Sequence, residues 1–329
     1  MNNIIYKEIG ETINDKKFLT KDIEITSRQI NYWKERNIIP FLEKEKRGTM
    51  NMPEALWLMI INELSNIGID SKKLEKLSYN IWLKPFYEKY ADKTFEYHLN
   101  KKGNSLNDED KGWLKHFLEN EQIMVDVFRK VINPFTDCIK DSLISNRTLY
   151  SFIYCPSKEE FIFSKSGLQL NSDLNNIFYG ETIISIPFLP HLSKLVGLDI
   201  ERQKNDIEYL TNVENIIRRT LVYDKPKLME IEVLVDGNIW LKYDGCGGFD
   251  SFCSLVNTTN GDEIVFIKVI RVSGVEARIP SNPDGDLVYW EVSFLGLNKK
   301  IELKKSSKSI VELLYKSKVI NEDQTLNEE

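Results

Sequence analysis

Histidine and cysteine are scarce in this chain, and their scarcity closes off several chemistries at once. Three of the 329 residues are histidine (His98, His116, His191), and none lies at a suggestive spacing from a cysteine or serine. Hydrolase triads and paired-histidine metal sites therefore find no support. The four cysteines, Cys138, Cys155, Cys246 and Cys253, are widely separated and form no Cys-x-x-Cys pair. Such scatter predicts neither a disulfide framework nor a structural zinc site. Long apolar runs are missing as well, since none approaches the ~18–20 residues of a membrane span. The opening Met1-Asn2-Asn3-Ile4-Ile5-Tyr6-Lys7-Glu8 lacks the charged-then-apolar layout of a secretory signal. These absences lead us to expect a cytoplasmic protein, not an enzyme, with no catalytic residues, no metal and no cofactor.

A hydrophobic content of 42% with 29% charged residues is that of an ordinary globular protein. The length allows two or three domains. A net charge of −6 argues against a protein that coats nucleic acid without selection. Charge is nevertheless focused locally. Between Arg28 and Arg47 stand six cations (Arg28, Lys34, Arg36, Lys44, Lys46, Arg47) against three anions (Glu35, Glu43, Glu45).

That stretch also carries the clearest local pattern. Thr26 followed by Gln29 has capping-box spacing, which predicts a helix start. Ile30 and Trp33 make an apolar stripe, whereas Arg28, Gln29, Asn31, Tyr32 and Arg36 face elsewhere and supply hydrogen-bond donors. Phe18 to Ile23 reads as a short helical piece and Glu24-Ile25 as a turn. Two short helices across a tight turn, the second cationic at its leading end, outline a helix-turn-helix. Pro40 ends the second helix, and Phe41 to Asn51 suits a two-stranded wing. Pro53 sits at a plausible first helical position. Leu56, Met59, Ile60, Leu64 and Ile67 then repeat at helical spacing up to Gly68, and Ser71 to Leu77 starts a further helix.

This order resembles the winged helix-turn-helix of the MerR family over residues 18–77. The resemblance is carried by Ser27-Arg28-Gln29-Ile30-Asn31-Tyr32-Trp33, by Asn37-Ile38-Ile39-Pro40, and by Ile60 to Ile69. Asn37 stands where the family has a turn glycine, and asparagine also tolerates the left-handed conformation. The resemblance implies that Ser27, Arg28 and Gln29 meet base edges and phosphates, with Tyr32 donating to a phosphate and Arg36 among the donors of the same helix. Lys46 and Arg47 on the wing would touch the flanking backbone. It further implies a transcriptional regulator that binds double-stranded DNA as a homodimer on a palindromic site. Its dimer helix would follow the wing, where residues 112–146 are the candidate. The cysteine clusters of metal-sensing relatives have no counterpart here. A small-molecule or protein effector is left unspecified.

The expected fold class is α+β: an N-terminal MerR-like winged helix-turn-helix, a central helical segment and a β-rich C-terminal domain. Residues 1–17 read as a lead-in, 18–80 as the DNA-binding domain and 81–147 as a helical connector with a dimerisation role. Residues 148–225 read as mixed, 226–320 as β-rich and 321–329 as an acidic tail. Trp82, Phe86, Tyr87, Tyr90, Phe95 and Tyr97 suit either core packing or an apolar ligand cup. Lys101 to Lys111 is the clearest linker, and Trp113, Phe117, Met124, Phe128, Val131 and Ile132 form one helical stripe that Pro134 should kink or split. Tyr150–Cys155 and Glu160–Ser164 read as a hairpin, and Glu181–Phe188 as a strand. Leu192–Gly197 and Thr211–Leu221 read as helices. Asp236-Gly237 predicts a tight hairpin between strands at Leu228–Val235 and Asn238–Tyr243. Glu263–Val272 and Leu287–Phe294 are further strands, Pro280–Gly285 a loop, and Ser307–Val319 a helix.

Lys242-Tyr243-Asp244-Gly245 matches the Lys-x-Asp-Gly of nucleotidyl-transferring ligases. Gly247 stands where those enzymes carry an arginine, however, and only 84 residues follow Gly245, too few for the rest of such a domain. His191, Arg218 and Arg219 suit structural roles, and Gly245 to Gly248 a plain turn. Three functions fit the winged motif: a MerR-like regulator, an excisionase-like or architectural factor of a mobile element, and a protein-docking module without DNA contact.

Overall fold

The computed structural model describes residues 12–42, 49–101, 106–143, 150–165, 178–202, 205–221, 228–235, 238–245, 252–253, 255–256, 264–270, 276–280, 289–294 and 297–302. The architecture is mixed helix and strand, an α+β protein. Its contacts divide into two units, residues 1–144 with 148–191, and residues 145–147 with 192–329. Among the described residues, no helix is long and apolar enough to cross a membrane.

The first unit contains α1 (Ser27–Glu35) and α2 (Met52–Asn66). Asn51 caps α2: its side chain accepts the Glu54 amide at 2.9 Å, and the Glu54 carboxylate accepts the Asn51 amide at 3.0 Å. From Asn51 to Ile61 every residue is buried, so α2 is enclosed all round as far as Ile61. Ile67, expected on the apolar face, is exposed because the helix stops there, with Gly68 turning at φ 93. Residues 12–17 of the expected lead-in are not idle. Ile13 is fully buried, and Lys16 lies 3.4 Å from Glu54.

Asp70 caps α3 (Ser71–Ser78) through the Lys72 and Lys73 amides. α3 runs through a π turn, Tyr79–Leu83, into Lys84–Tyr87. α4 (Tyr90–Asn100) and α5 (Asp108–Glu119) follow, α5 led by three acids that suit a helix N-terminus. The helical run expected over 112–146, with a kink or split at Pro134, is broken at two places. Asn120 ends α5 and caps the next piece through the Ile123 amide at 3.1 Å. Asn133 and Thr136 cap each other's backbone, so Pro134 opens α6 (Pro134–Leu143) and does not merely kink a longer helix. The stripe therefore divides. Phe117, Met124, Phe128 and Ile132 pack with Ala91 and Phe95, while Trp113 is 54% exposed.

Aromatic rings fill the rest of this unit's core. Phe135 on α6 meets Trp57 at 5.6 Å, Trp82 at 5.9 Å, Phe163 at 5.7 Å and Phe188 at 5.6 Å. Trp82 and Phe95 are thus core residues, whereas Tyr87 and Tyr97 are exposed. A three-stranded antiparallel sheet carries Phe152, Phe163 and Ile186 in register. Its order is β2 (Glu160–Lys165), β1 (Tyr150–Cys155), β3 (Ile184–Pro187). The Tyr150 hairpin forms as expected. β3 is shorter than the strand expected over 181–188, because Phe188 already starts α7 (Phe188–Arg202).

The second unit holds most of α7, α8 (Asn212–Arg219) and a six-stranded antiparallel sheet. Its strand order is β5 (Asn238–Gly245), β4 (Leu228–Val235), β6 (Ile264–Ile270), β7 (Glu276–Pro280), β8 (Tyr289–Phe294), β9 (Leu297–Glu302). Asp244, Glu230, Lys268, Arg278, Glu291 and Lys300 share one cross-strand row. The adjacent row reads Gly245, Met229, Val269, Ala277, Val292 and Lys299, so a charged row and a mostly apolar row alternate across the sheet. On β4, Met229, Ile231 and Val233 are buried while Glu230 and Glu232 are not. β5 continues through Asp244 and Gly245, past Tyr243 where the strand was expected to end and into the turn expected from Gly245. β7 and β9 were not anticipated. The Asp236-Gly237 turn, Gly247-Gly248, the helix at 307–319 and the acidic tail lie outside the described residues.

Candidate nucleic-acid interface

Phe18 and Met50 form an isolated antiparallel bridge, each amide donating to the other's carbonyl, at 2.9 and 2.7 Å. The bridge clasps the two ends of the segment that holds the motif. Inside it, the Asp22 carboxylate accepts the Leu19 amide at 2.7 Å and starts a 3₁₀ turn, Thr20–Ile23. The first helix of the expected pair is this single turn. Glu24 takes the left-handed conformation, φ 59, and makes the corner before α1.

The capping box read from Thr26 and Gln29 is present. The Thr26 hydroxyl accepts the Gln29 amide at 3.3 Å, and Gln29 Oε1 accepts the Thr26 amide at 3.0 Å and its hydroxyl at 2.7 Å. Gln29 Nε2 then donates to Asn62 Oδ1 on α2 at 3.1 Å. Below these bonds Ile30 and Trp33 are buried, with Trp33 only 2% exposed. Ser27 and Arg28 lie exposed at the leading end, and Tyr32 is 44% exposed. The Arg36 guanidinium sits 5.7 Å from the Tyr32 ring, a cation–π distance that orders both. Past Arg36, Asn37 adopts φ 54, and the Ile38 amide returns to the Trp33 carbonyl at 2.9 Å. Asparagine thus fills the left-handed position that the sequence reading assigned to it.

The structure brings Ser27, Arg28 and Tyr32 onto one short helix, with Arg36 as its C-cap. Gln29 shares the helix, but both ends of its carboxamide are committed to protein partners. Lys46 and Arg47 lie outside the described residues. A positive helix terminus with Arg28 beside it favours an anionic ligand. Asn62 is the contributor that sequence reading missed. It lies 33 residues from Gln29, and no local spacing announces the pair.

No family model, curated protein or solved structure matches the chain.

The other groups that drew notice are occupied structurally. His191 Nε2 lies 2.9 Å from Glu63 Oε1. Arg218 is fully buried and donates to the Asn205 carbonyl at 2.7 Å, and Arg219 pairs with Asp206. Lys242 stands mid-strand in β5, in register with Glu232. Among the described residues, no group of three His, Cys, Asp or Glu could hold a metal ion.

Proposed function

We propose that this chain is a sequence-specific DNA-binding protein, a transcriptional regulator. Its winged helix-turn-helix, similar to that of the MerR family, would be followed by a central helical segment and a β-rich C-terminal domain. It would act in the cytoplasm as a homodimer on a palindromic duplex. α1 enters the major groove by its leading turn, where Arg28 addresses base edges while Ser27, Tyr32 and Arg36 address phosphates. One observation carries the reading. The leading turn of α1 is fixed from below by a capping box and by Asn62, yet Ser27 and Arg28 remain exposed. Dimerisation is supported by the resemblance and is checked by the mass of the chain in solution.

The test is a salt titration of duplex binding. Log affinity should fall by roughly 0.9 per phosphate neutralised. A flat titration would mean that DNA is not the partner, and would favour the protein-docking module. Arg28→Ala supplies the second arm. A guanidinium paired with both acceptors of a guanine is worth roughly 1–3 kcal/mol of discrimination. The variant should lose affinity for a duplex enriched by the wild-type chain far more than for random duplex. Equal losses on both would make Arg28 a phosphate contact.

A further inference from the structure

Gln29 cannot make a two-point contact with a base in this arrangement, because the acceptor end of its carboxamide is already in use. Oε1 receives two donors from Thr26, and Nε2 donates to Asn62. An acceptor oxygen has two lone pairs, so the Oε1 end is saturated. What remains for Gln29 is to link two elements. At one end it holds the cap of α1, one residue before Ser27 and two before Arg28. At the other it grips α2, the helix whose residues 51–61 are all buried. Asn62 directly follows the fully buried Ile61, and Leu64 two residues on is also fully buried. Its backbone is therefore held by the core, while its carboxamide reaches the half-buried edge where Gln29 arrives.

We propose that Asn62 is a positioning residue for sequence discrimination: it never touches DNA, but through Gln29 it sets the orientation in which α1 presents Ser27 and Arg28. The inference rests on the DNA-binding reading and adds to it the origin of specificity. Bidentate pairing of a guanidinium with a base edge depends on angle as well as distance, whereas attraction to phosphates depends mainly on charge. An α1 released from Asn62 would still carry Arg28, Arg36 and its helix dipole. It should keep its grip on any duplex and lose its choice among them.

The experiment compares full-length chains on two duplexes at one salt concentration, one enriched from a random pool by the wild-type chain and one scrambled. Asn62→Leu keeps the branched shape, with bulkier methyl groups, and has no acceptor. It should lower the preference for the enriched duplex about tenfold, the scale of one lost hydrogen bond. Its affinity for scrambled duplex and its salt slope should stay as in the wild type. Asn62→Asp keeps the acceptor and should keep the preference. Adding Gln29→Glu to Asn62→Asp sets two carboxylates face to face at the half-buried edge, and should abolish the preference without touching the core. Should Asn62→Leu fail to fold, this pair of variants decides the matter alone. A wild-type chain that discriminates while Asn62→Leu, or the double variant, discriminates equally well overturns the role of Asn62 and leaves the DNA reading standing. A wild-type chain that binds no duplex overturns both.

Discussion

Glu54 shows at the scale of one residue how a charge is tolerated in a core and what it costs. Its carboxylate accepts the Asn51 amide at 3.0 Å and lies 3.4 Å from Lys16 Nζ, yet the residue is almost fully buried. Burial pushes its pKa above the ordinary 4.5, against the pull of the Asn51 bond and of Lys16. The sign follows from linkage. An acid whose folded pKa is raised weakens the fold where it is ionised, so stability should rise as pH falls from the folded value toward 4.5. Glu54→Gln keeps an oxygen for the Asn51 amide and removes the charge. It should melt higher than the wild type at pH 7, and the gap should close near pH 4.5. A variant that melts lower at pH 7 would show the Lys16 pair outweighing burial. The Asn51-x-x-Glu54 cap has the same spacing as Thr26-x-x-Gln29 and is legible in the sequence. The burial of its carboxylate is not, since that depends on elements distant along the chain.

At the scale of elements, the helical segment after α3 is held by one arginine. Arg129, whose side chain is 4% exposed, donates through Nε and Nη2 to Asp92 on α4, at 2.7 and 2.6 Å. Nη1 and Nη2 reach Glu121 at 2.7 and 2.8 Å. The fork thus joins α4 to the pieces that follow α5 across the small core of Ala91, Phe95 and Met124. The hydrogen bonds to Asp92 and then Glu121 hold the guanidinium pKa above its ordinary range. Those from Arg129 hold Glu121 below 4.5, so that contribution is present above pH 4.5 and is lost as pH falls through the folded value. Arg129→Ala would strand the Asp92 carboxylate and should cost about 3–5 kcal/mol in chemical denaturation of the full chain. A loss under about 1 kcal/mol would place the pair among solvated surface bridges. Sequence pattern found the helical character of this region and the break at Pro134, but not the one at Asn120, because Asn120 was not read as a cap. In the second unit, strands with a clear alternation such as β4 were legible. β9 was hidden by Asn298, Lys299 and Lys300, a composition that suits the edge of a sheet and resembles a loop.

At the scale of the molecule, α1 and α2 belong to a larger core of the first unit. α2 carries Trp57, which is fully buried, meets Phe135 on α6 at 5.6 Å and Phe152 on β1 at 5.9 Å, and donates to the Ser78 hydroxyl at 3.2 Å. The apolar repeat at Leu56, Met59, Ile60 and Leu64 announced a helix with one buried face. The signal of enclosure was the rest of the run: Trp57, Leu58 and Ile61 lie off that stripe and are fully buried too. A helix apolar all round needs partners on every side, and here those partners include residues far beyond position 80. The first unit should therefore loosen as a whole. Trp57→Ala should cost about 3–5 kcal/mol, as large aromatic truncations in cores do. Hydrogen exchange on the full chain separates the two possibilities. Amides of α2, α6 and β1 should lose protection together in the variant, since they share the ring that was removed. Loss confined to residues 18–80 would mean that the motif folds on its own terms and that its contacts with α6 and β1 are a dispensable interface.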